Sequence, residues 1–157
     1  MKKIMSALLA LALMMTFALA EEIALGDFSL LLPEHVKTET VENVLTCIRD
    51  QTRVVVQLLP QQMKEDALHH LQEMMLAYDP AMTLVKSEQH PEGVALAWGL
   101  IENSFGEGLH QYVTMVLSGK GLLILSAYHL SGDHQAASDF LAELLALVKL
   151  DGAALLP

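Results

Sequence analysis

The chain has 157 residues, with 19 acidic side chains against 9 basic ones and one cysteine. A net charge of −10 with histidines neutral excludes phosphate-driven nucleic-acid binding as a default and disfavours docking on an anionic membrane surface. The lone cysteine, Cys47, excludes an intramolecular disulfide, so stability has to come from a buried core.

Met1-Lys2-Lys3, the apolar run from Ile4 to Ala18 and the small-residue end Ala18-Leu19-Ala20 before Glu21-Glu22 have the pattern of a secretory signal peptide, with cleavage expected after Ala20. The apolar run falls short of the ~20 residues that span a bilayer, and no cysteine follows it where a lipid would attach. Residues 1–20 are therefore expected to be removed, leaving no stable membrane anchor and a secreted or periplasmic product. Residues 21–157 are long enough for one domain with one core and are read as a single α+β domain. Without Lys2 and Lys3, 7 basic residues face 19 acidic ones, a net −12 that serves solubility outside the cell or attracts a basic partner.

Asp27 to Pro33 predicts a short strand stopped by proline, which cannot donate to a ladder. Val36 to Thr40 reads as an edge strand. Glu42 to Arg49 and Arg53 to Leu59 are β-rich runs joined by Asp50-Gln51-Thr52, a hairpin with Val44, Thr46 and Ile48 on one face and Leu45 and Cys47 on the other. Cys47 reads as a buried, inert thiol, because no base stands near it in sequence. After Pro60 the period changes: Met63, Ala67, Leu68, Leu71, Met74, Met75 and Tyr78 fall at helical spacing, with Lys64, Asp66, His69 and Glu73 on the other side, until Asp79-Pro80. Leu84 to Gln89 is a short strand.

Val94 to Leu130 then reads as three sequential antiparallel strands, broken at Asn103–Gly108 and at the tight Ser118-Gly119-Lys120-Gly121 turn. Their alternation places apolar residues on both faces, which implies a sheet covered on both sides by helices or by a partner subunit. Ala95, Ala97 and Gly99 are small enough to let a helix come close. Ser131 or Asp133 starts a second helix, expected to run to about Leu150 and to stop at Asp151-Gly152, with residues 153–157 frayed.

The Phe28-Ser29-Leu30-Leu31-Leu32-Pro33 opening, the hairpin, the middle helix, the Gly-punctuated meander and the closing helix through Leu147-Val148-Lys149-Leu150 together resemble the Mog1/PsbP-like proteins, including small bacterial DcrB-like members. The chain departs from that pattern after the opening proline, where Glu34-His35-Val36 stands instead of an early aromatic. The resemblance implies an antiparallel sheet sandwiched by helices and a non-enzymatic role in binding or assembly. It carries over no catalytic residue.

His69-His70 is the most suggestive polar cluster. Asp66 with His70 and His69 with Glu73 are i, i+4 pairs, so Asp66, His69, His70 and Glu73 could hold zinc or copper with a further ligand from elsewhere. A solvated helix face with local ion pairs explains the same residues, and the H-E-x-x-H metalloprotease arrangement is absent. His110 and His129 are expected to face each other across the hairpin centred on Ser118–Gly121, near Tyr112 and Tyr128. Ser131, Asp133, His134 and Ser138 invite a triad reading, but no G-x-S-x-G turn accompanies them. Met63, Met74, Met75, Met82 and Met115 are core filler or an adaptable surface. The residues predict no cofactor. They favour a secreted α+β module, a mainly antiparallel sheet flanked by two principal helices, that binds another protein outside the membrane; a small-ligand or metal carrier is the alternative and a hydrolase the third reading.

Overall fold

The computed structural model describes residues 21–62 and 65–156; the expected signal peptide, Met63 and Lys64 of the predicted helix and Pro157 lie outside them. Strands β1 (Glu22–Leu25), β2 (Phe28–Leu31), β3 (Lys37–Val41), β4 (Val44–Arg49) and β5 (Thr52–Leu59) precede helix α1 (Ala67–Tyr78). Then come β6 (Met82–Gln89), β7 (Ala95–Ser104), β8 (Leu109–Ser118) and β9 (Gly121–His129), followed by helix α2 (His134–Ala146), β10 (Val148–Leu150) and β11 (Ala153–Ala154). The expected α+β class holds. One antiparallel sheet has seven strands in the order β3-β4-β5-β9-β8-β7-β6, and a smaller one has four in the order β1-β2-β10-β11.

The meander forms with the register its tight turn dictates, from Ser118 opposite Gly121 to Tyr112 opposite Ala127. Two-sided apolar alternation becomes two cores, one on each face of the large sheet. On one face Leu45, Cys47, Val54, Val56, Leu96, Val116, Leu123 and Leu125 pack against Phe140, Leu141, Leu144 and Leu145 of α2 and against Phe28, Leu30 and Val148 of the small sheet. On the other, Ala95, Ala97, Val113, Met115, Leu122 and Ile124 pack against Ala67, Leu71 and Met75 of α1. Gly99 is the closest approach: a Cβ there would run into the sulfurs of Met82 and Met75, the latter at 2.9 Å. The buried methionines Met75, Met82 and Met115 are core filler.

Each helix begins on an aspartate. Asp66 Oδ1 accepts from the His69 amide at 3.0 Å, and Asp133 Oδ1 accepts from the Ala136 amide at 3.0 Å. Cys47 is fully buried in the α2-side core, and burial pushes its thiol up to about 11.

The end of the chain differs from the sequence expectation. α2 stops at Ala146, where the Leu147 amide turns back onto the carbonyls of Leu144 and Leu145. The next residues leave the helix because β2 offers a strand edge: Val148 lies opposite Leu30 and Leu150 opposite Phe28, burying Val148 in the core. Asp151 and Gly152, with φ of 50° and 79°, form the turn of a hairpin into β11 rather than a helix stop. Residues expected to fray are held: the Leu155 amide donates to the Val148 carbonyl at 3.0 Å, and Leu155 and Leu156 pack against the core. β1 was also not foreseen. It pairs with β2, and Glu22 ties the sheet together, accepting from Ser29 Oγ at 2.7 Å and meeting Lys149 Nζ at 3.3 Å. The Ser29 hydroxyl, then Lys149, hold the Glu22 carboxyl below its ordinary range.

Candidate functional site, a groove beside the second helix

One rung across the large sheet explains where a site can form. Leu45, Val56, Leu125, Thr114, Trp98 and Lys86 stand in register on β4, β5, β9, β8, β7 and β6, so they share the face that carries α2. α2 packs on β5, β9 and β8, leaving the outer strands of this face without a helix over them. The result is a half-open groove of about 500 Å³, within the range of about 300–1,000 Å³ common for small-molecule sites. Trp98, Leu100, Tyr112 and Thr114 form its floor, Ser138, Leu141, Ala142 and Leu145 of α2 form a wall, and Leu156 contributes from the C-terminal segment. Val85, the extra residue where the β6 register shifts between Leu84 and Lys86, sits at the rim and is largely exposed.

Two polar groups in this apolar setting stand out. Thr114 is 0% exposed, and its Oγ1 has no hydrogen-bond partner, a cost of roughly 1–3 kcal/mol for a buried hydroxyl. Lys86 places its ammonium 3.9 Å from the centre of the Trp98 ring. Its neighbour Glu88 is 4.0 Å away, at the limit of an ion pair, and the other Glu88 oxygen is engaged by His90 Nε2 at 2.8 Å. Among the described residues Lys86 is the one charged side chain lining the groove.

Two smaller concavities lack this combination. One of about 340 Å³ lies between β1 and the β3–β4 turn, lined by Leu25, Gly26, Thr40, Glu42 and Asn43 among others. Another of about 420 Å³ lies between His90-Pro91 and the β10–β11 hairpin.

The histidines fall elsewhere. His69 Nε2 meets Glu73 Oε1 at 3.3 Å, the expected i, i+4 pair, and His70 Nδ1 lies 3.9 Å from Glu73 Oε2. The expected Asp66–His70 pair gives way to capping: the Asp66 carboxylate turns to the His69 amide, while His70 Nε2 contacts Gln61 Nε2 at 3.2 Å. Among the described residues no three His, Cys, Asp or Glu side chains converge as a metal site would require. His110 does not meet His129. It stacks on His134 at the start of α2, ring centres 3.7 Å apart, because His129 turns its Nδ1 to accept from the amides of Ser131 and Asp133. Tyr128 leaves the supposed ladder as well and packs edge-on against Phe105 at 5.3 Å. Ser131 Oγ is 3.2 Å from His129 Nδ1, but that nitrogen already accepts two backbone protons and the Asp133 carboxylate is spent on the helix cap, so no relay is assembled.

Sequence reasoning passed over Lys86, Trp98 and Thr114 as site residues, although all three sit in strands it placed. A threonine among Tyr112, Val113, Met115 and Val116 in a two-sided apolar strand was the available signal.

No family model matches the chain, and no curated protein matches it in sequence. A solved structure from Bacteroides thetaiotaomicron VPI-5482 is similar over 84% of this chain with 12% identity and a TM-score of 0.45. The chain spans 48% of that protein's length. Among the described residues no helix is long and apolar enough to cross a membrane.

Proposed function

We propose that the mature chain is an exported, non-catalytic binding module that holds a small, largely apolar molecule in the groove beside α2. The observation that carries this reading is the buried Thr114 hydroxyl without a partner in a concavity otherwise floored and walled by Trp98, Leu100, Leu141 and Leu145. An unpaired hydroxyl costs stability and a valine would fill the same space, so its presence suits a site that receives a hydrogen-bonding guest. The reading moves the small-ligand alternative ahead of the protein-partner expectation. It keeps the non-enzymatic character that the Mog1/PsbP-like resemblance implies.

The test is titration of residues 21–157 with the neutral fluorophore N-phenyl-1-naphthylamine, in the original chain and in Ala142→Trp. Ala142 is exposed on the groove wall, so the larger side chain blocks the groove without entering the core. Saturable binding that weakens by roughly tenfold or more in the variant is expected. Equal binding by both chains, or none by either, overturns the reading.

A further inference from the structure

The groove has a direction. Lys86 stands on the edge strand β6, at the open end of the rung, and Thr114 lies two strands inward on β8, with the Trp98 ring between them. Strand spacing puts their backbones about 10 Å apart. Between these polar points the surface is aromatic and aliphatic, from Trp98 and Leu100 below and from Leu141 and Leu145 at the side. The Lys86 ammonium rests on an aromatic face with only a marginal carboxylate neighbour, because Glu88 is held by His90. It is 57% exposed on its side chain, free to turn from Trp98 toward a stronger acceptor. The acidity of the rest of the chain makes this cation a local exception: among the lining residues it has no acidic companion.

Resting on the groove reading above, we propose that the natural ligand class is an elongated amphipathic monocarboxylate carrying a second hydrogen-bonding group. Its carboxylate pairs with Lys86 at the mouth, its apolar body lies along Trp98 and the α2 wall, and its inner polar atom satisfies Thr114. The carboxylate end replaces a weak ion pair with a charge-assisted hydrogen bond. The inner end removes the orphan hydroxyl at the moment of binding, so Thr114 discriminates by what it lacks in the empty protein.

Displacement of N-phenyl-1-naphthylamine by octanoate, 1-octanol and 8-hydroxyoctanoate tests both ends in the original chain, Lys86→Gln and Thr114→Val. Octanoate is expected to compete roughly fivefold more tightly than 1-octanol at low salt, and the gap should close in Lys86→Gln. 8-Hydroxyoctanoate should outcompete octanoate in the original chain and lose that advantage in Thr114→Val, each competitor's affinity being referred to the fluorophore's own affinity measured in the same variant. Thr114→Val should also melt higher without ligand, since it removes an unpaired buried hydroxyl. A fluorophore that binds the groove but is displaced equally by acid and alcohol, or by none of the three, overturns the ligand class and leaves the groove reading standing. So does an advantage of the hydroxy acid that survives in Thr114→Val. If the fluorophore does not bind at all, the groove reading itself has failed.

Discussion

The two faces of the large sheet are covered unequally. On one, α2 and the small sheet together bury two phenylalanines and a bank of leucines, and the groove lies beside the helix on β6–β8. On the other, α1 packs mainly on β6, β7 and β8, and among the described residues no helix lies over the β3–β4 end. Along that end Val44, Thr46, Ile48, Val55 and Gln57 are half-buried, and Arg53 is held by the carbonyls of Asp50 and Thr52. The uncovered part of the α1 face is thus open strand surface with polar groups placed for solvent, whereas the uncovered part of the α2 face is concave, aromatic and holds a hydroxyl with no partner. Lack of cover alone does not make a site; the difference lies in shape and in unsatisfied polarity.

That contrast can be broken most directly in the cores. Phe140 is fully buried between α2, the sheet and the Arg49 guanidinium, which lies 4.1 Å from its ring centre, so Phe140→Ala should cost about 3–5 kcal/mol by chemical denaturation. Met75→Ala, under α1, should cost about 2 kcal/mol, because Met82 and Met115 can swing into the space. Equal losses would mean that the two faces carry the same load.

The helix caps sharpen the comparison at smaller scale. Asp133→Ala and Asp66→Ala should each cost about 1 kcal/mol, measured by thermal unfolding. Only Asp133→Ala should also weaken binding of the groove fluorophore, since α2 alone of the two helices supplies a groove wall. A parallel effect from Asp66→Ala would show that α1 shapes the groove through the sheet.

The smallest effect concerns Cys47. Its thiol titrates at about 11 in the folded chain against 9.0 for the free group, so the folded state keeps a proton that the unfolded state releases. Its contribution to stability is therefore complete below pH 9 and declines as pH rises from about 9 to 11, a slope that Cys47→Ala should abolish. Modification by a disulfide reagent at pH 8 should proceed only through unfolding.

Much of this was legible along the chain. The meander, the β4–β5 hairpin, the start of α2 and the close packing at Gly99 all follow from period, turn residues and capping, which are local; the first helix, expected from Gln61, begins only at Ala67, where Asp66 caps it. The short strands were not. Glu22–Leu25 and Ala153–Ala154 are too brief to show a period, and Leu147-Val148-Lys149-Leu150 continues the apolar spacing of α2, so only the waiting edge of β2 decides against the helix. For the histidines, the turn-centred register was correct, but which ring meets which depends on where α2 begins in space. The groove was illegible for the same reason: Lys86, Trp98 and Thr114 come from three strands, and their alignment appears only once the register shift in β6 is known.

The pairing of β2 with β10 has a consequence for how the molecule is made. Phe28 and Leu30 come early in the chain and pair at once with β1, but their second neighbouring strand is complete only with Val148 and Leu150. Until then the first strands present an open edge and the main core lacks both Phe140 and Val148. Closure of the main core is thus deferred by the topology itself, and the C-terminal hairpin acts as the clasp that commits the chain to the folded state.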